Sequence, residues 1–271
     1  MFDAAPYPFP LETDLSAELQ PAAGAQTCHA DMVGGVRGLR SALAKASPVA
    51  RMATLRERLP GPMVFMHGFG IEGQLLLHWI CENDLDIDIA TLDTGRLFPE
   101  TYDLWARTEA RYGRRIRAVY PDPVALESYV GEHGINGFYA SSPARKACCE
   151  VRKIAPMERA LAGASAWISA LRADQSSVRR DDGLVRFDAA RGMLKLNPLF
   201  DWTREAVLDE VEAHDIPVNA LHARGFVSIG CAPCTRAVKP GEDERSGRWW
   251  WEDDGPRECG LHMREKRVSA V

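Results

Sequence analysis

The sequence predicts an α/β fold, a mostly parallel sheet with helices on both faces. Three observations carry that prediction. Short apolar runs alternate with helix-patterned stretches through the middle of the chain. Two of those runs lead directly into glycine-bearing turns, His67-Gly68-Phe69-Gly70 and Asp93-Thr94-Gly95-Arg96. No internal repeat or low-complexity tract competes, and a hydrophobic content of 46% suffices for a full core.

Residues 1–45 are rich in Ala, Pro and Gly and read as an N-terminal extension ending in a helix, with a weak helical pattern over Gly38 to Arg58. Residues 46–240 read as the ligand-binding α/β domain that carries both cysteine pairs, and residues 241–271 as a mobile C-terminal tail with the fifth clustered cysteine. Met63-Val64-Phe65-Met66 is the first strand, and its glycine turn leads into a helix over Gln74 to Ile80. Ile87 to Leu92 is the second strand; Pro99, suited to a first turn, opens the next helix. Ile116 to Tyr120 forms a third strand closed by Pro121, and Ala166 to Leu171 a buried one. Thr203 caps a helix running to about His214, with Glu205 and Glu210 outward and Val207, Leu208 and Val211 inward. In such folds ligands bind beyond the carboxyl ends of the strands, near a topological switch.

The bulk numbers exclude several classes. No run of about 18 apolar residues occurs, so no membrane span is expected. The opening stretch, MFDAAPYPFPLETDLS, lacks the basic region and apolar run of a signal peptide, so a cytoplasmic location is expected. A net charge of −5 argues against nucleic acid as a partner. Arginines still group locally, as Arg172, Arg179 and Arg180 and as Arg236, Arg245 and Arg248. Guanidinium forks suit sulfate and phosphate, although solvated surface charge is the plain alternative for any one of them.

Five of the seven cysteines lie in the second half of the chain: the tandem Cys148-Cys149, the Cys231-x-x-Cys234 pair, and Cys259. Cys28 and Cys81 are isolated, with Cys81 expected to be buried on a helix. In a reducing compartment close pairs read as metal-binding or catalytic rather than as disulfides. Helical neighbours point about 100° apart, which strains a single tetrahedral zinc. A cubane cluster offers each thiolate its own iron and takes adjacent cysteines more easily, with zinc remaining the rival. Lys153, four residues after Cys149, falls near one turn on and can offset thiolate charge. Cys259 lies in Glu258-Cys259-Gly260-Leu261-His262, and a thiolate there needs a cation such as His262, Arg245 or Arg248. The 67–73 turn could present backbone N–H groups to phosphate, but it lacks the lysine of an ordinary P-loop. Trp249-Trp250-Trp251 reads as a cover over the core or the cysteine site.

Together these segments resemble a known family. Lys146 to Pro156 around the tandem cysteines, Gly230 to Asp243 around the second pair, and Glu258 to His262 are similar to the assimilatory adenylyl-sulfate reductases of the phosphoadenylyl-sulfate reductase family. Leu92 to Thr101 and Leu171 to Arg179 carry further matches, so the resemblance runs from about Pro62 to His262. The first turn departs from it, with His67-Gly68-Phe69-Gly70 in place of a serine-containing version.

The resemblance implies an adenine nucleotide α-hydrolase-like fold and a 4Fe–4S cluster on Cys148, Cys149, Cys231 and Cys234, with Lys153 beside it. It implies adenosine 5′-phosphosulfate as substrate. Gly68, Phe69 and Gly70 of the first turn would bind it with Asp93, Thr94, Gly95 and Arg96 of the second. Arg172, Gln175, Arg179, Arg245, Arg248 and His262 would complete the substrate site. Cys259 would be the nucleophile, carrying an S-sulfocysteine that a thioredoxin or a glutaredoxin-like reductant resolves to sulfite. A homo-oligomer is compatible with all of this. The alternatives are dual use of the 3′-phosphorylated nucleotide, or an iron–sulfur tRNA thiolase on the same fold.

Overall fold

The computed structural model describes residues 29–252 together with 258, 260 and 261; Cys28, Cys259 and His262 lie outside the described residues. Six strands form one sheet: β1 (Met63–Met66), β2 (Asp88–Leu92), β3 (Arg117–Val119), β4 (Ala166–Ile168), β5 (Val185–Asp188) and β6 (Met193–Leu196). Their spatial order is β3-β2-β1-β4-β6-β5. Every neighbouring pair is parallel except β5 with β6, so the sheet is mostly parallel with one antiparallel edge. The chain winds outward from β1 to β3, then returns to start β4 on the other side of β1. That reversal makes the β1/β4 boundary a topological switch point.

Four expected strands are present, the first with the expected limits and the other three shorter. The fourth stops at Ile168, and Ser169 to Leu171 leave the sheet as irregular chain. The β5–β6 hairpin is an addition. Its strands contain Arg186, Asp188 and Lys195, which interrupt any apolar run. Lys195 is nonetheless fully buried, its ammonium paired with Asp182 and lying 4.7 Å from the centre of the Trp167 ring.

The helices are α1 (His29–Leu43), α2 (Pro48–Arg58), α3 (Ile71–Glu82), α4 (Pro99–Tyr112), α5 (Pro123–His133), α6 (Ser142–Cys149), α7 (Ala155–Leu161) and α8 (Arg204–Ala213). The weak pattern over 38–58 is two helices, broken where Ser47 caps α2 by accepting from the Ala50 N–H at 3.2 Å and Pro48 occupies its first turn. Leu43 of α1 is buried in the core. On α8, Val207 and Val211 face inward as expected, but Leu208 is 38% exposed. It sits about 100° round the helix from Val207, outside the narrow stripe that meets α3. Cys81 on α3 is half-buried rather than buried.

Strand alternation divides the core into two layers. Phe65, Ile89, Ala166 and Ile168 point into the larger one with α2, α3 and α8. Val64, Ala90 and Trp167 point to the opposite face, against Met157 and Leu161 of α7. A third cluster, set apart, joins Tyr129, Phe138 and Trp249 to Cys148, Cys231 and Cys234.

Candidate active site

A cleft of about 260 Å³ opens at the switch point, where β1 and β4 end side by side. Its floor is the turn after β1 together with Ser169 to Leu171 after β4. Gly68, Phe69 and Gly70 all line it, as the sequence predicts. Phe69 holds a left-handed backbone at φ 55°, a conformation that costs a non-glycine residue roughly 1 kcal/mol or more. The ring repays this by packing 4.4 Å from His67 and 5.4 Å from Trp105.

The second turn divides its tasks. Thr94 lines the cleft, and its hydroxyl lies 3.3 Å from the Cys231 sulfur. Asp93 caps the turn instead, accepting from the Gly95 N–H at 2.9 Å and the Tyr102 hydroxyl at 2.7 Å. The Arg96 side chain runs away from the cleft to the Ile135 carbonyl and the Asn136 side chain. The Arg96 carbonyl accepts from the Ala232 N–H at 2.7 Å, which ties this turn to the second cysteine pair.

The four predicted cysteine ligands are buried and come together from two elements. Cys148 and Cys149 end α6, whose start is capped by Ser141 accepting from the Ala144 N–H. A single π-helical turn, Glu150–Ile154, follows and carries the axis on into α7. Such turns insert one residue per turn and recur at functional sites. Cys231 caps the short 3₁₀ turn Ala232–Cys234 and Cys234 ends it. Burial disfavours the Cys231 thiolate, but Lys153 and the Thr94 hydroxyl outweigh it and pull the thiol below its ordinary value. Burial and the neighbouring Cys231 push Cys234 up to about 12. Lys153 is itself buried and lines the cleft, so one cation faces both the cysteines and the ligand space.

The predicted arginines separate. Arg179, Arg245 and Arg248 line the cleft with Gln175. Arg172 does not: it is fully buried beneath the cleft and surrounded by carboxylates, with Glu72 at 2.9 Å, Glu244 at 2.8 Å and Asp174 in contact. Arg236 pairs with Glu242 and Arg180 is exposed, so neither joins the site. Arg248 lies 4.7 Å from the centre of the Trp249 ring and donates to the Cys234 carbonyl at 3.3 Å. Gly230 makes that approach possible, because a Cβ there would meet the Arg248 guanidinium at 2.3 Å. The tryptophan triplet divides as well: Trp249 is buried over the cysteines and Trp250 is 39% exposed.

Two cleft residues stand in motifs the sequence singles out without marking them as buried site residues. His67 is 2% exposed, and neither ring nitrogen has a well-formed hydrogen bond. Burial drives its pKa down to about 3, against a small opposing pull from the Gln74 amide, so the ring is neutral. Glu258 is 4% exposed, with its carboxylate held by Arg179 at 2.8 Å and by Arg245 at 3.2 Å. A lone histidine or glutamate carries no mark of burial in a sequence; only the fold shows these two burials.

Residues 62–237 match the family model described as the phosphoadenosine phosphosulfate reductase domain. An adenosine 5′-phosphosulfate reductase of Sinorhizobium fredii is 52% identical over 213 residues, covering 79% of this chain and 85% of the relative. One from Allochromatium vinosum is 50% identical over 203 residues, covering 75% and 79%. In fold, the chain is similar to a phosphoadenylyl-sulfate reductase from Candida auris solved as a phosphate complex. The TM-score is 0.64 at 24% identity, covering 75% of this chain and 96% of that one.

Proposed function

This chain belongs to the phosphoadenosine phosphosulfate reductase family, and we infer from that premise that it reduces adenosine 5′-phosphosulfate to sulfite and AMP. The reading extends to assimilation of sulfate in the cytoplasm, with Cys259 as nucleophile and a thioredoxin-type dithiol as reductant. One observation carries it. Lys153, Arg179, Arg245 and Arg248 gather at the switch-point cleft beside Cys231, and Glu258 and Leu261, on either side of the Cys259 position, line the same cleft.

The chemistry balances as three thiol substitutions. The Cys259 thiolate attacks the sulfate sulfur, the sulfur–oxygen bond to AMP breaks, and AMP leaves with its phosphate charge stabilised by the cleft cations. A reductant thiolate then attacks the Cys259 sulfur and expels sulfite, leaving a mixed disulfide. The reductant's second thiol resolves it, so the two electrons come from the dithiol, which ends as a disulfide. Arg248 and Lys153 hold the sulfate oxygens in this scheme, and the glycine turn after β1 accommodates the nucleotide phosphate.

The donor set fits an iron–sulfur cluster. Cys148, Cys149, Cys231 and Cys234 are buried and free of disulfides, beside Arg145, Arg152, Lys153 and Arg248 as compensating cations. Among the described residues no three His, Cys, Asp or Glu side chains gather closely enough for a single ion. A cubane, which spreads its thiolates over different irons, does not require them to. Such a cluster would supply fixed charge and rigidity beside Lys153.

The test is covalent trapping. Incubation with labelled adenosine 5′-phosphosulfate and no reductant should leave a sulfonated peptide containing Cys259, absent in Cys259→Ser. Turnover that persists in Cys259→Ser overturns the mechanism. Anaerobic protein should contain about four irons and four sulfides per chain, and a single zinc in their place overturns the cluster.

A further inference from the structure

We propose that Arg145 is a positioning residue for the reaction: it docks the segment that carries Cys259 onto the helical rod that carries Cys148 and Cys149. The rod is α6, the π-helical turn and α7, which run end to end from Ser142 to Leu161. The tail meets it along its length. On α6, Nη1 of Arg145 donates to the Glu258 carbonyl at 3.0 Å. At the π-helical turn, Ile154 lies so near Gly260 that a Cβ there would stand 3.4 Å from its side chain. Leu261 packs against the layer that contains Met157 and Leu161 of α7. Glu258 and Gly260 are the chain neighbours of Cys259, so these contacts flank the reactive residue.

Arg145 is fully buried and lies outside the cleft, so its work is not to bind the substrate anion. Nε and Nη2 hold the two carboxylate oxygens of Glu252 at 2.6 and 3.1 Å. The guanidinium lies 4.5 Å from the centre of the Trp249 ring, and the Cys149 side chain is a further neighbour. One side chain thus joins the tandem-cysteine helix, the Trp249 to Glu252 turn and the tail. A planar fork held by a carboxylate and stacked on a ring has one orientation, which fixes the direction of the N–H that reaches the Glu258 carbonyl.

Helical spacing supplies the coupling. Arg145 stands three residues before Cys148 and four before Cys149, on the same face of α6. Whatever fixes both sulfurs fixes the rotation of α6 about its axis, and that rotation aims Arg145 at the tail. Lys153 belongs to the same rod and lines the cleft, so one body sets the cleft cation and the reactive segment relative to each other. The anion stays with the cations that line the cleft, Arg179, Arg245 and Arg248 among them.

The role rests on Cys259 being the nucleophile, so the test reads the dock and the reaction separately. Arg145→Met is paired with Glu252→Gln, which removes both charges and strands neither. Glu252→Gln alone keeps the bond to the Glu258 carbonyl and is the control. Trypsin cleavage after Arg257 tracks the open population of the segment, and should be about tenfold faster in the paired variant than in the control. Gly260→Ala, strained at φ 94° and crowded against Ile154, should release the segment from the tail side. Single-turnover sulfonation of Cys259 should slow by a similar factor in both. Iron content, and the dissociation constant for adenosine 5′-phosphosulfate on a Cys259→Ser background, should stay within about twofold. Equal cleavage in the paired variant and the control overturns the proposal. Loss of iron from a folded paired variant makes Arg145 a support for the cysteine helix alone and overturns it too. If the paired variant does not fold, Gly260→Ala decides, and a segment as protected as the parent's overturns the dock. A parent protein that never acquires sulfonate on Cys259 overturns the nucleophile and the role in the reaction, while the cleavage rates still read the dock.

Discussion

The hydroxyl of Thr94 lies 3.3 Å from the sulfur of Cys231, and this contact joins the ligand cleft to the buried cysteines. Thr94 is placed by its own turn: the Arg96 N–H donates to its hydroxyl at 3.3 Å, and Arg152 donates to its carbonyl at 2.6 Å. Cys231 is one of the four clustered cysteines and also lines the cleft. Removing the hydroxyl should therefore loosen the cysteine site without emptying the cleft. In Thr94→Val, iron should pass to a strong chelator about fivefold faster, the scale of one hydrogen bond near 1 kcal/mol. Thr94→Ser should behave like the parent, and equal rates in all three proteins would assign the thiolate to Lys153 alone.

Gly230→Ala should weaken substrate binding while leaving the fold intact. The new Cβ would meet the Arg248 guanidinium at 2.3 to 2.7 Å, and a side-chain terminus can swing away where backbone could not. The guanidinium then leaves its place over Trp249 and its bond to the Cys234 carbonyl. A charge-assisted contact is worth about 1.5 to 3 kcal/mol, so the dissociation constant should rise at least about tenfold. Calorimetric titration checks this, with an unchanged circular dichroism spectrum as the control.

His67 should make the protein acid-sensitive. Its folded pKa of about 3 lies below the ordinary 6.5, so the unfolded chain binds a proton that the folded one refuses. Stability is unaffected above pH 6.5 and falls as pH drops from there toward 3. At pH 5 the cost is about 2 kcal/mol, from the 1.36 kcal/mol carried by each pKa unit. His67→Phe keeps a ring between Phe65 and Phe69 and removes the proton site. Its urea-unfolding free energy between pH 7 and pH 5 should fall less steeply than the parent's, and parallel curves would locate the acid sensitivity elsewhere.

Lys195→Met should destabilise the whole fold. Lys195 is fully buried and pairs with Asp182, which also accepts from Arg186 at 2.7 Å and from Asn197 at 2.9 Å. Deleting the ammonium leaves a buried carboxylate short of charge, which typically costs about 3 to 5 kcal/mol. The companion variant Lys195→Met with Asp182→Asn should recover much of the loss, because it removes both charges. Denaturant midpoints for the three proteins decide it.

Several elements were readable before any coordinates. Val64 and Phe65 alternate between layers because strand side chains do, and that alternation predicts β1 directly. The cysteine spacing likewise pointed to one site, since two close pairs of soft thiol donors form a natural ligand set, and the fold brings all four together. The β5–β6 hairpin was hidden by Lys195 and Asp188, polar residues whose burial depends on Trp167 of another strand, whose indole N–H donates to Asp188 at 3.0 Å and whose ring lies 4.7 Å from the Lys195 ammonium. Leu208 was misread because a helix stripe is only as wide as the surface it meets, and that width belongs to α3 rather than to α8.

The sequence alone determined what kinds of group are present: four thiols in two close pairs, a fifth in a short tail motif, glycine turns after strands, and clustered arginines. Composition and spacing encode these because they are local. The assignment of each arginine to a partner came from the fold. Arg172 is closed off by Glu72, Glu244 and Asp174, whereas Arg179, which reaches Glu258, lines the cleft together with Arg245 and Arg248. A charge acts through what lies within a few ångströms of it, and segments about 70 to 100 residues apart meet only once the sheet has formed.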